Sequence, residues 1–261
     1  MDSHRQTWEN YRNFAEERGW LVTSILSQFA KLEGKHVLDY GCGDGATSRR
    51  LSKMGAIVTA VDANSEVKKN FRDSEIMFLS SQDEDILWRN HKFDIVVVQD
   101  VLEHLTEPES TLRKIRNSLQ PGGSIFISTP NRFSILNAIS DPHWGLPFVS
   151  LFSRPLVRFG VKHIFRRDRR ERSDWAALLS LGYLRKLLDI NQIELNFMNC
   201  FVAKMLFQKP EAVVCHPRHF QVVRWIQRHK LERMIHRIVN DRARFFNYFI
   251  NPTWFLVGKV R

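Results

Sequence analysis

Short apolar runs of strand length alternate with stretches of helical periodicity through the first half of the chain. The runs fall at residues 36–40, 57–61, 76–79, 94–99 and 124–128. They are apolar at successive positions, as strands buried on both faces are. Helical patterns separate them. One spans residues 47–54 and another residues 109–119, the latter stopped by Pro121-Gly122-Gly123. Residues 8–31 also read as a helix, with Leu21, Ile25, Leu26 and Phe29 on its apolar side. This alternation predicts an α/β fold, a doubly wound, mostly parallel sheet with helices on both faces.

After Asn131 the pattern changes. Residues 133–165 are rich in Phe, Trp, Leu and Pro, with Arg154, Arg158 and Lys162 interleaved. The chain then enters a run of Arg166, Arg167, Arg169, Arg170 and Arg172. Residues 183–191 suit a core helix, and residues 194–201 and 253–260 suit the last two strands. Between those strands, residues 217–246 read as an amphipathic basic helix or helix pair. Leu231, Met234, Ile235 and Ile238 form its apolar stripe, and Arg228, Lys230, Arg233, Arg237, Arg242 and Arg244 carry its charge.

The chemistry concentrates where the first apolar run ends. Val37-Leu38-Asp39-Tyr40-Gly41-Cys42-Gly43-Asp44-Gly45-Ala46 is a strand that stops at a carboxylate and enters a loop with alternate glycines. Such a loop lets the backbone approach a ligand at the N-terminus of the next helix. Gly41-x-Gly43-x-x-Ala46 fits a dinucleotide fingerprint. A pyrophosphate over this turn, however, would face Asp39 and be repelled. The same carboxylate suits a cationic ligand that bears an ammonium and a sulfonium and has no phosphate, such as S-adenosylmethionine. Asp62 closes the second apolar run, where an acid can accept both hydroxyls of a ribose.

Four blocks in order, at residues 37–45, 60–64, 93–105 and 119–131, resemble the class I S-adenosylmethionine-dependent methyltransferases. The branch they look like is the one holding the ubiquinone-biosynthesis O-methyltransferases. The resemblance covers roughly residues 33–132, and it implies the seven-stranded, Rossmann-like methyltransferase sheet with helical insertions in the C-terminal half. It divides the chain into an N-terminal helical cap at 1–34, a cofactor-binding core at 35–132 and a substrate region at 133–261. On this sequence it implies that Asp39, Gly41 and Gly43 meet the methionine end of S-adenosyl-L-methionine. Asp62 then holds the ribose, Ala63 lies beside the adenine, and Gln99 sits near the methyl group. The family's acidic adenine contact falls near Ser81 or Gln82, neither of which is acidic. The family's last two strands usually form a close hairpin. Here about 50 residues intervene, which leaves that hairpin open.

Composition places the basicity. The chain has 261 residues and a net charge of +11. Residues 1–130 hold 16 Lys/Arg and 19 Asp/Glu, a net −3, whereas residues 131–261 hold 23 and 9, a net +14. The cofactor half is therefore ordinary, and the charge belongs to the half expected to meet substrate. That charge and the aromatic residues suit three arrangements of residues 217–246: a core-packed helix with a solvated basic face, a membrane-surface contact, or an RNA contact. With no nucleic-acid motif in the chain, a lipid-linked or small-molecule acceptor ranks above RNA. Residues 1–20 are polar and charged, and no 18-residue apolar run exists. The expectation is a cytoplasmic enzyme with peripheral contact at the membrane surface. Cys42, Cys200 and Cys215 lack metal-ligand spacing.

For the transfer itself, an oxygen acceptor must lose a proton, so a base or a metal helps. His104, just after the fourth strand, is the first candidate base, and His143, in a substrate-side loop, is the second. Asp100, Glu103 and His104 would share one face if their segment were helical, and the resemblance implies a divalent metal there, with magnesium suited to hard oxygen ligands. The reading is an O-methyltransferase acting on a lipid-linked, glycan or quinone-like hydroxyl. An RNA methyltransferase is the rival enzyme, and a non-catalytic S-adenosylmethionine-binding module is the rival outside catalysis.

Overall fold

The computed structural model describes residues 2–71, 75–80, 83–90, 92–143, 146–160, 176–214 and 217–260, with side chains from residue 13 onward except at 84, 90, 154, 217 and 218. Seven strands form one sheet: β1 His36–Tyr40, β2 Ile57–Asp62, β3 Met77–Ser80, β4 Phe93–Gln99, β5 Leu119–Pro130, β6 Ile193–Phe197 and β7 Thr253–Val260. Their spatial order is β3-β2-β1-β4-β5-β7-β6. The first five are parallel, and β7 runs antiparallel between β5 and β6. The order reverses between β1 and β4, and a ligand cleft forms at the carboxyl ends of strands at such a switch point.

Helices α1 Asp2–Leu26, α2 Ala46–Lys53, α3 Glu84–Asn90, α4 Pro108–Ser118, α5 Ile135–Ile139, α6 Arg154–Phe159, α7 Leu181–Ile190, α8 Asn199–Gln208, α9 Pro217–Arg228 and α10 Glu232–Ile238 complete the chain. Alternate residues of each strand feed two cores. Val37, Val58, Ile95, Val97 and Phe255 pack with Leu21, Val22 and Ile25 of α1. Leu38, Val96, Val98, Trp254 and Leu256 pack with Leu112 and Ile115 of α4 and Leu184, Leu187 and Leu188 of α7. Burial on both faces is why the strands read as continuous apolar runs.

Several expectations change. Beta strand β5 is longer than residues 124–128. The helix ends at Ser118 as the sequence implies, but the strand starts at once: Phe93 pairs with Leu119 and Ile95 with Ser124, so Pro121-Gly122-Gly123 loops out of the ladder, with Gly122 at φ 75°. The strand expected over 194–201 ends at Phe197, and α8 begins at Asn199. The last two strands do pair, with Ile193 opposite Val260, although residues 198–252 intervene.

Buried amides anchor that insertion. Asn247 donates to the carbonyls of Asn240 and Arg242, and its Oδ1 accepts from Asn199 and Asn251. Asn131, just past β5, donates to the carbonyls of Asn247, Tyr248 and Asn251. The basic segment is a helix pair, α9 and α10. Its apolar stripe is only partly covered, with Met234 and Ile238 about half exposed. Among the described residues no helix is long and apolar enough to cross a membrane. The arginine run at 166–172, Lys162 and Cys215 lie outside the described residues.

Candidate active site

The loop after β1 is held from below and open above. Gly41 and Cys42 donate their backbone N–H groups to the Val61 carbonyl at 2.7 and 2.9 Å. Gly41 has φ 78°, and a Cβ there would lie 2.3 Å from Val101, so the loop packs directly on the turn after β4. Gly43 has φ 50°, and a Cβ there would meet nothing within 4 Å. Its backbone faces open space, as a ligand cradle requires.

Asp62 sits where sequence reasoning placed it, at the end of β2. Its Oδ2 accepts from Gly43 N at 2.9 Å and its Oδ1 from Asn64 N at 2.8 Å. The acid therefore pins the loop, and each oxygen keeps a second lone pair for a hydroxyl donor. Ala63 beside it is exposed.

Asp39 lies deeper than expected. It is 1% exposed, and its Oδ2 accepts from Ser48 Oγ at 2.5 Å. Burial pushes its carboxyl up from the ordinary 3.8 to about 6; the Ser48 hydrogen bonds oppose this and the nearby Asp62 charge adds to it. Burial likewise drives the Cys42 thiol far up, which fits a residue that only fills space.

Gln99, at the end of β4, accepts from Thr47 Oγ1 at 2.8 Å, which couples it to the start of α2. Ser81 and Gln82 lie outside the described residues. Asp83 follows them, and its carboxylate accepts from Ser80 N and Oγ, which hold it below the ordinary carboxylate value.

Sequence reasoning missed Arg18. It lies on the buried side of α1 and is 6% exposed, with its guanidinium 4.4 Å above the Phe255 ring and 3.6 Å from Asp100. Its Nε is buried without a hydrogen-bond partner. The neighbouring Gly19 lets α1 approach α2 closely, since a Cβ there would lie 3.2 Å from Ala46 O and Thr47 Cα. A signal existed in the sequence: Arg18 precedes Leu21 and Val22 by three and four positions, on the apolar stripe itself.

The metal expectation changes. Residues 100–105 form turns, not a helix, and Asp100 has φ 54°. Asp100 therefore turns away from Glu103 and His104. Its carboxylate accepts from Ser128 Oγ at 2.8 Å and faces Arg18. Glu103, His104 and His143 converge instead, with potential ligand atoms all within 4.8 Å of one another. Glu103 is 1% exposed and accepts from Thr129 Oγ1 at 2.9 Å. The His104 and His143 rings meet edge to face, 5.1 Å between centroids. One carboxylate and two imidazoles do not fit magnesium, which demands an octahedral shell of oxygens.

At the carboxyl edge of the sheet, then, an open glycine cradle lies beside paired acids, a buried arginine and a histidine pair. A family model described as a methyltransferase domain matches residues 14–238.

The chain belongs to that methyltransferase family.

Relatives sharpen the likeness without completing it. A ubiquinone biosynthesis O-methyltransferase of Coxiella burnetii is 39% identical over 113 residues, 41% of this chain and 48% of that relative. One of Nitrosospira multiformis is 33% identical over 125 residues, covering 43% and 50%. This methyltransferase thus spans about half the length of the curated relatives it matches. Among solved structures, an S-adenosylmethionine-dependent methyltransferase from Mesorhizobium loti superposes with TM-score 0.54 at 16% identity, over 91% of this chain and 96% of that one. A possible histamine N-methyltransferase from Thermotoga maritima superposes with TM-score 0.55 at 13% identity, over 100% and 96%. These similarities are of fold.

Proposed function

We propose that this methyltransferase uses S-adenosylmethionine and methylates a hydroxyl of an apolar, quinone-like or lipid-linked molecule. The observation that carries the reading is the placement of the glycine cradle and the His104–His143 pair at one edge of the sheet. Two relatives named ubiquinone biosynthesis O-methyltransferases, matched over 113 and 125 residues, favour an oxygen acceptor. When bound, S-adenosylmethionine supplies an electrophilic methyl on a sulfonium.

The residues present suit that group. Gly43 offers an open cradle, Asp62 takes the ribose hydroxyls, and Ala63 flanks the adenine. Asp39 provides negative potential beneath the amino-acid end. Arg18 opposes it with a buried positive charge that suits a carboxylate. Gln99, oriented by Thr47, borders the methyl position.

His104 accepts the acceptor hydroxyl's proton as the new C–O bond forms, and the electron pair of the broken C–S bond stays on sulfur. His143, against its ring edge, orients His104 for that transfer, and buried Glu103 lies beside both. Alignment and exclusion of water supply the rest. No step requires magnesium.

The test is transfer of a tritiated methyl into fractionated cell extract, with lipid, glycan, RNA and protein counted separately. The reading expects label in the lipid fraction, lost on His104→Gln. Label in RNA alone would reject the substrate class.

A further inference from the structure

We propose that a small cavity beside His143 holds one water, and that Ser150 and Asp141 use this water to fix the proton on the His143 ring. Ser150 and Asp141 are then positioning residues for methyl transfer. The inference rests on the reading of His104 as the base and His143 as its support. The cavity has a volume of about 10 Å³ and lies against the Val149–Leu151 turn. Val157, Ala176 and Leu178 line it with apolar groups, whereas Asp141, His143 and Ser150 bring polar ones. Such a volume admits a single water and nothing larger, and a buried water needs two to four polar partners. Three line this cavity.

Ser150 carries the argument. It is 2% exposed, and its Oγ has no hydrogen-bond partner among the described residues. A serine in a helical turn can return its hydroxyl to a carbonyl three or four residues back. Ser150 does not, and a buried hydroxyl left unsatisfied is costly. The turn is nevertheless held firmly. Phe148 enters it at φ 63°, a left-handed conformation that a bulky residue rarely takes. Phe148 N donates to the Ala138 carbonyl at 2.6 Å, and Arg132 Nη2 to the Leu151 carbonyl at 2.7 Å. The chain is thus pinned on both sides of a hydroxyl that lines the cavity.

Asp141 gives the water its direction. It is 3% exposed, and its Oδ1 accepts from His143 N at 2.9 Å. A carboxylate only accepts, so a water beside it turns a hydrogen toward it. The water oxygen then takes the Ser150 hydroxyl and a ring N–H of His143. Nδ1 of His143 is buried, which assigns the proton to Nδ1. Nε2 keeps its lone pair, the form that can accept a His104 N–H. The candidate ligand atoms of His104 and His143 lie within 4.8 Å of each other. His104 then presents its other nitrogen, unprotonated, to the acceptor hydroxyl.

The test is nitrogen-15 NMR of the full chain with labelled histidine, at about pH 8, above the ordinary histidine range. It reports which ring nitrogen carries the proton, and the His143 signal is assigned by its loss in His143→Gln. We expect the Nδ1–H form in wild type and a mixture of tautomers in Ser150→Ala. Single-turnover methyl transfer into the lipid fraction should fall at least ~10-fold in that variant, because the base loses its orientation. Calorimetric affinity for S-adenosylmethionine should stay at the wild-type value. The melting temperature should fall by roughly 2–4 °C, the shift that loss of one hydrogen bond gives in a chain of this length. A dry cavity predicts a rise instead, because the substitution then removes an unsatisfied hydroxyl. The inference is overturned if wild-type His143 carries its proton on Nε2, or if Ser150→Ala leaves the tautomer or the transfer rate unchanged. A higher melting temperature in Ser150→Ala overturns it equally. Should that variant fail to fold, the wild-type spectrum decides. The nitrogen-15 readout needs neither donor nor acceptor, so full transfer in His104→Gln would sink the proposed base and leave the water site standing.

Discussion

The two halves of this chain share one sheet but use polarity in opposite ways. Before Asn131 the net charge is −3, and the polar groups at the strand ends are pinned to the backbone or to each other. Asp62 holds Gly43 and Asn64, Thr47 holds Gln99, and Ser48 holds Asp39. After Asn131 the net charge is +14, charge lies on the surface, and large apolar groups lie beside it. The first half fixes its polar groups in place. The second leaves cations and large apolar groups exposed.

The comparison breaks most easily at His104, where the halves meet. His104→Gln should cut methyl transfer by ~10³-fold, within the range for a lost general base, and leave donor affinity unchanged. Single-turnover transfer and calorimetry read the two effects separately. A fall in affinity instead would move His104 into the cofactor half.

Asn247→Ala should destabilise the fold by about 3 kcal/mol, because its removal strips partners from several buried polar groups. Urea unfolding measures the loss. A change below ~0.5 kcal/mol would mean that the insertion is held by its apolar contacts alone.

Asp39→Asn sharpens the comparison with a pH signature. An acid whose carboxyl is raised from 3.8 to about 6 on folding costs stability as pH rises between those values. Below about 3 both states are protonated and the cost vanishes. The variant should therefore exceed wild type by up to about 3 kcal/mol above pH 7 and match it below about pH 3. Thermal melts across pH check this. Equal stability at every pH would show that Asp39 is not desolvated.

Asp62→Asn is the smallest predicted change. The amide oxygen still accepts, so donor affinity should fall only ~10-fold, about 1.4 kcal/mol.

Much of the fold was legible because strands buried on both faces leave uninterrupted apolar runs. What failed has local causes. The end of β6 was hidden because Asn199, which hydrogen-bonds Asn240 and Asn247, starts a helix where apolar residues continue. The pairing of β6 with β7 crosses residues 198–252, a distance that periodicity does not bridge. At the site, the positions of the glycine loop, Asp62, Gln99 and His104 at or just after strand ends were legible in the sequence, whereas the contact of His143, in a later loop, with His104 was not. The Asp100 cluster could not, because one residue at φ 54° redirects the side chain and a helical face does not form. The depth of Asp39 was equally invisible, since burial is a property of the packed sheet.

The central claim is that the cradle after β1 takes S-adenosylmethionine with Asp39 beneath its cationic end. Titration calorimetry of the wild-type chain at pH 6, in two buffers of different ionisation enthalpy, tests it most directly. The account predicts one-to-one binding with Kd on the order of 1 µM to 1 mM, the range in which enzyme KM values usually fall. It also predicts proton release, because a cation above Asp39 favours its ionised form. Absence of saturable binding would contradict the account, and binding with no proton released would remove Asp39 from it.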